Sequence, residues 1–202
     1  MDAGLPFPAL QKLLDHQVTR LDFAVVTHAH LDHARAAQAL IDRGVPVLTP
    51  AEVIAALELT RAVELPVGEV FRHSGWTIQA VPVEHDVPNV ALLIQRGGES
   101  LFYCTDTARI PVRVNPTILA VEANHDLNVL RHRVESGGIE DFVAARAVRN
   151  HQSIQSLLAW LEVQDLSRTR EVHLLHLSGG SASSDFARRV EGVVGIPTRT
   201  AP

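Results

Sequence analysis

Thr27-His28-Ala29-His30-Leu31-Asp32-His33 is the segment that most restricts how this chain can fold. An apolar run, Phe23-Ala-Val-Val-Thr27, precedes it and reads as a buried strand. Asp32 to Arg43 follows with alanine-rich helical composition, and Gly44 is a natural stop. Where a nucleotide-binding fold would place a glycine-rich phosphate loop, between first strand and first helix, this chain places imidazoles. Four potential metal ligands fall within six residues. His28 and His30 are two apart, so a turning loop aims both at one ion. Asp32 and His33 lie where the helix begins and the chain changes direction, so they can face a second ion. Paired divalent ions about 3.5–4 Å apart are a recurrent hydrolytic device. Imidazole suits zinc, and carboxylate also suits manganese and iron. The competing reading is a solvated loop with Asp32 as a helix cap.

The remaining pattern alternates strands with helices. Val45 to Leu48, Trp76 to Val83, Thr117 to Val121 and Glu171 to Leu175 read as strands. Val90–Gln95 and Leu101–Thr105, split by Gly97-Gly98, read as a hairpin. Ala51–Leu59, most of 125–161, and Ser183–Val194 read as helices, with breaks near Gly137-Gly138 and Asn150. This predicts an α/β layered fold. No repeat or linker interrupts the 202 residues, so a single domain over 1–202 is expected. At 46% hydrophobic and 20% charged the composition is that of a folded globular chain. No apolar run approaches a bilayer span, and no basic segment with an apolar run marks a signal peptide, so a cytoplasmic location without membrane contact is expected. The single cysteine, Cys104, excludes an internal disulfide framework and a cysteine zinc cluster. The chain does hold 11 histidines.

His28-x-His30-x-Asp32-His33 after a strand ending in threonine resembles the signature of the metallo-β-lactamase superfamily, and the resemblance runs along nearly the whole chain. It implies a four-layer αββα sandwich with a dinuclear metal site, zinc first, manganese or iron as alternatives. It also implies further ligands: His85 after the strand 76–83, bridging Asp106 after the strand 101–105, and His176 at the end of the strand 171–175. The implied set is His28, His30, His85 and Asp106 on one ion, and Asp32, His33, His176 and Asp106 on the other. Asp86 competes with His85 as ligand or supporting partner, Asp106 could instead cap a turn, and His173 competes with His176. Three positions separate those two histidines, which places them on opposite strand faces.

Glu122-Ala-Asn-His-Asp126 and Asn150-His-Gln-Ser153 are similar to elements of the branch that contains ribonuclease Z and related exonucleases or phosphodiesterases. That resemblance implies hydrolysis of a phosphodiester by a water shared between the ions. Asp32 would hold and orient the water. His151, oriented by Glu122 or Asp126, would assist the leaving oxygen. Alternatively His151 only caps its helix. His125 reads equally as a supporting partner or a surface residue.

The implied substrate is a phosphodiester, with DNA, RNA and small cyclic diesters all candidates. A net charge of -5 provides no general attraction to nucleic acid. Met1-Asp2-Ala3-Gly4 is similar to a family element that ends an early strand. The chain is therefore expected to lack the first N-terminal strands, as a truncated product, a misassigned start or a short form. A homodimer partner could then cover the open sheet edge. Rival readings are an ester, lactone or β-lactam hydrolase and a truncated, inactive metal-binding module.

Overall fold

In the computed structural model, which describes residues 1–201, strands and helices alternate and two β-sheets form. The chain divides into two compact units, Met1–Pro82 with Val87–Val90, and Val83–Asp86 with the chain from Ala91 onward.

Unit 1 contains α1 (Phe7–Leu13), β1 (Ala24–Val25), α2 (Leu31–Ala34), α3 (Ala37–Ile41), β2 (Val47–Thr49), α4 (Ala51–Ala56), β3 (Val63–Glu64), β4 (Val70–His73) and β5 (Trp76–Val83). β1, β2 and β3 pair in parallel, with Val25 opposite Leu48 and Leu48 opposite Val63. β4 and β5 form an antiparallel hairpin, His73 opposite Trp76. The core joins Ala3, Val26, Ala37, Leu40, Ile41, Val47 and Val53. Each fully buried leucine or valine there contributes roughly 1.5–3 kcal/mol by leaving water.

The helix expected over Asp32–Arg43 is split into α2 and α3, and the cause lies outside the segment. The Ala3 N–H donates to the His33 carbonyl at 2.6 Å, and the Ala36 N–H donates to the Ala3 carbonyl at 2.8 Å. The N-terminal segment thus takes helix hydrogen-bonding groups for itself. Gly4 permits the approach: a Cβ there would sit 1.5 Å from the Asp32 carbonyl oxygen. The short strand β1 likewise ends early, because the Thr27 N–H turns from the sheet to the Asp2 carboxylate, at 2.9 Å.

Unit 2 contains β6 (Asn89–Arg96) from Ala91 onward, β7 (Glu99–Cys104), β8 (Ile118–Glu122), α5 (Leu127–Glu135), α6 (Asp141–Asn150), α7 (Ile154–Leu161), β9 (Glu171–Leu175), α8 (Phe186–Val194) and β10 (Thr198–Thr200). β6 and β7 form the expected hairpin, with Leu93 opposite Phe102. Its two-residue loop is Gly97-Gly98, at φ 58° and 87°, which a side chain would strain. β7, β8, β9 and β10 are neighbours in parallel, with Cys104 opposite Val121 and Glu122 opposite Leu175. β8 is almost wholly buried, as a central parallel strand must be. Its core includes Phe102, Leu119, Val121, Ile154, Leu157, Leu174 and Phe186. Parallel register has a consequence for chemistry. The carboxyl ends of β7, β8 and β9 lie side by side, where open α/β sheets place their sites.

Candidate metal centre

In unit 1 the ligand candidates sit on the loop and first turn between β1 and α3. His28 is fully buried, His30 half-buried at the start of α2, and His33 buried within it. The His28 ring lies 4.9 Å from that of His30 and 4.3 Å from that of His33, centroid to centroid. Asp32 opens the helix with its side chain 68% exposed, its carboxylate 3.7 Å from His33 Nε2.

What orients these rings is Asp2. His33 Nδ1 approaches Asp2 Oδ2 at 2.9 Å. The Thr27 hydroxyl donates to the same carboxylate and lies 3.0 Å from His28 Nδ1. A carboxylate only accepts, so the His33 proton sits on Nδ1. The Thr27 hydroxyl has given its proton to Asp2, so it accepts from His28 Nδ1. Both tautomers put the lone pair on Nε2, the arrangement of metal-ligating histidines held by a carboxylate behind them. In the sequence only the resemblance of Met1-Asp2-Ala3-Gly4 to a family element marks Asp2. Its supporting role depends on a contact across 31 positions.

In unit 2 four residues from three strand ends and a helix end converge. Asp106, Glu122, His151 and His176 offer ligand atoms within 4.8 Å of one another. Asp106 follows β7 and His176 follows β9, at φ 56° and 52°. Two non-glycine residues in the left-handed region, each just past a strand end, are strained positions of the kind that cluster at functional sites. Asp106 is 2% exposed, and the Thr105 hydroxyl donates to its Oδ2 at 2.6 Å.

Glu122 organises the cluster. Its Oε1 receives His151 Nδ1 at 2.9 Å and His176 Nδ1 at 2.7 Å. Its Oε2 receives the backbone N–H groups of Thr107 at 3.2 Å and Gln152 at 3.1 Å. Four donors engage its lone-pair sites, an arrangement suited to supporting ligand rings from behind. Burial pushes its carboxyl up, but the hydrogen bonds from His151 and His176 prevail and hold it below the ordinary range. Both imidazoles therefore carry their proton on Nδ1 and the lone pair on Nε2.

The rest of the Glu-Ala-Asn-His-Asp element clamps the neighbouring loops. Asn124 Nδ2 donates to the His176 carbonyl at 2.9 Å, and the Asn124 N–H donates to Gln152 at 2.8 Å. His125 is 1% exposed with Nδ1 3.3 Å from Asn124 Oδ1, so it is no surface residue, and burial lowers its pKa. Asp126 caps α5 through the Asn128 N–H at 2.8 Å and pairs with Arg189. Glu122, not Asp126, is thus the partner of His151. Ser153 caps α7, accepting from the Ser156 N–H at 3.1 Å, and His151 is left to face Glu122.

His85 also belongs to unit 2. Its side chain is 1% exposed, with Nε2 3.1 Å from Asp86 Oδ1 and its ring 5.7 Å from that of His151. Arg146 and the Asn150 amide donate to Asp86 at 3.0 and 3.3 Å, making Asp86 a support for His85. His173 pairs with Glu171 on β9 and takes no part in the cluster. Cys104 is buried, and burial with the nearby Glu122 and Asp106 charges pushes its thiol far up, so it is inert.

Imidazoles with anchored Nδ1 and buried carboxylates form a donor set that fits a divalent transition metal. The comparisons agree with this chemistry. The chain belongs to the β-lactamase superfamily domain family, whose match covers residues 1–154. Its structure is similar to the metallo-β-lactamase fold protein YhfI from Bacillus subtilis, at 18% identity and TM-score 0.76 over 99% of this chain and 82% of that one. It is similar to Igni18, a metallo hydrolase from the archaeon Ignicoccus hospitalis, at 18% identity and TM-score 0.65 over 90% and 76%. Zn(2+)-bound PqqB from Methylobacterium extorquens matches at 14% identity and TM-score 0.62 over 93% and 78%. No curated protein sequence matches the chain. The fold is the metallo-β-lactamase fold. Among the described residues no helix is long and apolar enough to cross a membrane.

Proposed function

We propose that the chain is a dinuclear metal-dependent hydrolase that cleaves a phosphodiester. The observation that carries this reading is the single Glu122 carboxylate that accepts from both His151 and His176. His28, His30, His85 and Asp106 would hold one ion, and Asp32, His33, His176 and Asp106 the other. Zinc suits the imidazole-rich set, and the similar PqqB structure is zinc-bound. Bound there, the ions supply a water acidified towards neutral pH and neutralise charge on the reacting group.

The chain's own residues supply the rest. Asp32, exposed on the first turn of α2, holds and orients the attacking water. Asp2 and Glu122 keep the rings of His28, His33, His151 and His176 in the tautomer that presents Nε2, whereas Asp86 holds His85 by Nε2. His151, fixed by Glu122, presents Nε2 to the leaving oxygen, and the carboxylate offsets positive charge on the ring when Nε2 is protonated. Support for a phosphodiester over a carboxylic ester or lactam comes from the Glu-Ala-Asn-His-Asp and His-Gln-Ser elements, which together build the Glu122–His151 pair.

The test compares bis(p-nitrophenyl) phosphate with a chromogenic β-lactam and an aryl ester on protein of measured metal content. Close to two ions per chain and turnover of the diester are expected. Turnover of the lactam or ester alone overturns the phosphodiester assignment, and metal-free protein of full thermal stability overturns the dinuclear one. His151→Ala should lower diester turnover about 10²-fold with metal content intact.

A further inference from the structure

We propose that unit 2 carries a separate binding site for a small organic anion with an apolar body, between the 109–113 loop and α7. A cavity of about 350 Å³ lies there, within the range of small-ligand pockets. Ile110, Val112 and Trp160 provide its apolar wall. The wall is preformed: Trp160 Nε1 donates to the Val112 carbonyl at 3.0 Å, and its ring stacks on Phe102 at 6.0 Å. Such fixed geometry lowers the ordering cost of binding.

Two arginines, Arg109 and Arg113, line the same cavity. Three other arginines of the unit meet carboxylates, Arg146 with Asp86, Arg170 with Glu99 and Arg189 with Asp126, and Arg133 and Arg168 bond hydroxyl or carbonyl oxygens. Among the described residues no carboxylate pairs with Arg109 or Arg113. Two guanidinium groups beside an apolar wall match a phosphate or carboxylate on an aromatic or acyl body. Arg109 lies three positions past Asp106, and Gln152, which also lines the cavity, follows His151 directly. The site is thus built on the segments that carry two proposed catalytic-centre residues, yet it requires no metal and stands apart from the reaction proposed above.

The experiment reads Trp160 fluorescence in a Trp76→Phe background, which leaves Trp160 as the one tryptophan of the two. Phenyl phosphate should give a saturable change, with phenol at least about tenfold weaker, because only the former offers an anion to the guanidinium groups. Arg109→Ala with Arg113→Ala should weaken phenyl phosphate at least about tenfold, and the paired lysine variant should recover only part of the affinity, since it restores the charge but not the planar fork. Binding should survive removal of metal by chelation. Equal affinity for phenol overturns the proposal, as does an unchanged double-alanine variant. Loss of binding on chelation also overturns it, since the anion then sits on the metals. If the double-alanine variant melts early, Arg109→Gln and Arg113→Gln are read singly, and unaltered affinity in both has the same meaning.

Discussion

The two units solve one problem in different ways. Each must hold two imidazoles by Nδ1 against a buried carboxylate. Unit 1 does so with neighbours in sequence, His28 and His33, anchored by Asp2 directly and through Thr27. Unit 2 gathers His151 and His176, 25 positions apart in the chain, onto Glu122. Asp2 ties the N-terminal segment to β1 and the ligand loop: its N–H donates to the Val25 carbonyl, and its carboxylate accepts from the Thr27 N–H and hydroxyl and from His33 Nδ1. Glu122 is a structural node whose four hydrogen bonds tie β8 to the loops after β7, α6 and β9. The same supporting chemistry is therefore expected to weigh less on stability in unit 1, where Asp2 serves one loop, than in unit 2, where Glu122 joins three.

The largest effect expected from this difference is at Glu122. Glu122→Ala removes the acceptor of two imidazole and two backbone N–H groups inside the protein. Stranding buried donors this way should cost about 3–5 kcal/mol in urea unfolding, and metal affinity should fall with it. A loss below about 1 kcal/mol would erase the distinction between the units.

Gly4→Ala comes next. The added methyl meets the backbone oxygen of Asp32, which cannot rotate away as a side chain could. Displacing it should cost about 1–3 kcal/mol and move the Asp32–His33 turn, so unit 1's metal affinity should drop together with the melting temperature. An alanine variant of unchanged stability and metal content would mean that this close approach does not set the ligand loop.

Asp2→Asn should act mainly on metal binding. The amide can mimic the shape of the carboxylate but not its charge, so His33 and Thr27 lose a strong acceptor. Affinity for metal should fall about 10–100-fold while stability changes by about 1 kcal/mol. If Asp2→Asn destabilises the protein as much as Glu122→Ala does, the two carboxylates are equivalent nodes after all.

The contrast between units also accounts for what could be seen in the sequence. Unit 1's ligands are contiguous, and their spacing after an apolar run announces a metal loop without any fold. The strands β5 and β9 were legible to the residue from alternation and apolar runs. The break between α2 and α3 was not, because it comes from hydrogen bonds to Ala3, 30 or more positions away. Asp106 and His176 looked like ordinary strand-end residues until a family resemblance singled them out. Glu122 could be weighed as a partner for His151, with Asp126 as its rival. Its hold on His176 as well depends on the parallel register of β8 with β9, which no local pattern encodes.

The smallest effect tests how the Glu-Ala-Asn-His-Asp element is divided. Glu122 serves the ligand rings, whereas Asp126, four residues on, serves the helices. Burial pushes the Asp126 carboxyl up, but hydrogen bonds from Arg189, Gln155 and the Asn128 N–H outweigh it and bring it from 3.8 to about 2. A folded pKa below the unfolded one stabilises the protein above the unfolded value, near pH 4. That stability is lost as the pH falls through about 2. Allowing for solvent at the Arg189 side of the pair, the contribution is about 1 kcal/mol. Asp126→Asn should therefore lower stability by about that amount at pH 6, and the difference from the parent should shrink between pH 4 and pH 2. Metal content at pH 7 should stay unchanged. A variant that loses metal as Glu122→Ala does would show that the capping half and the ligand-supporting half of the element are one device, and that unit 2 holds its histidines through α5 as well as through β8.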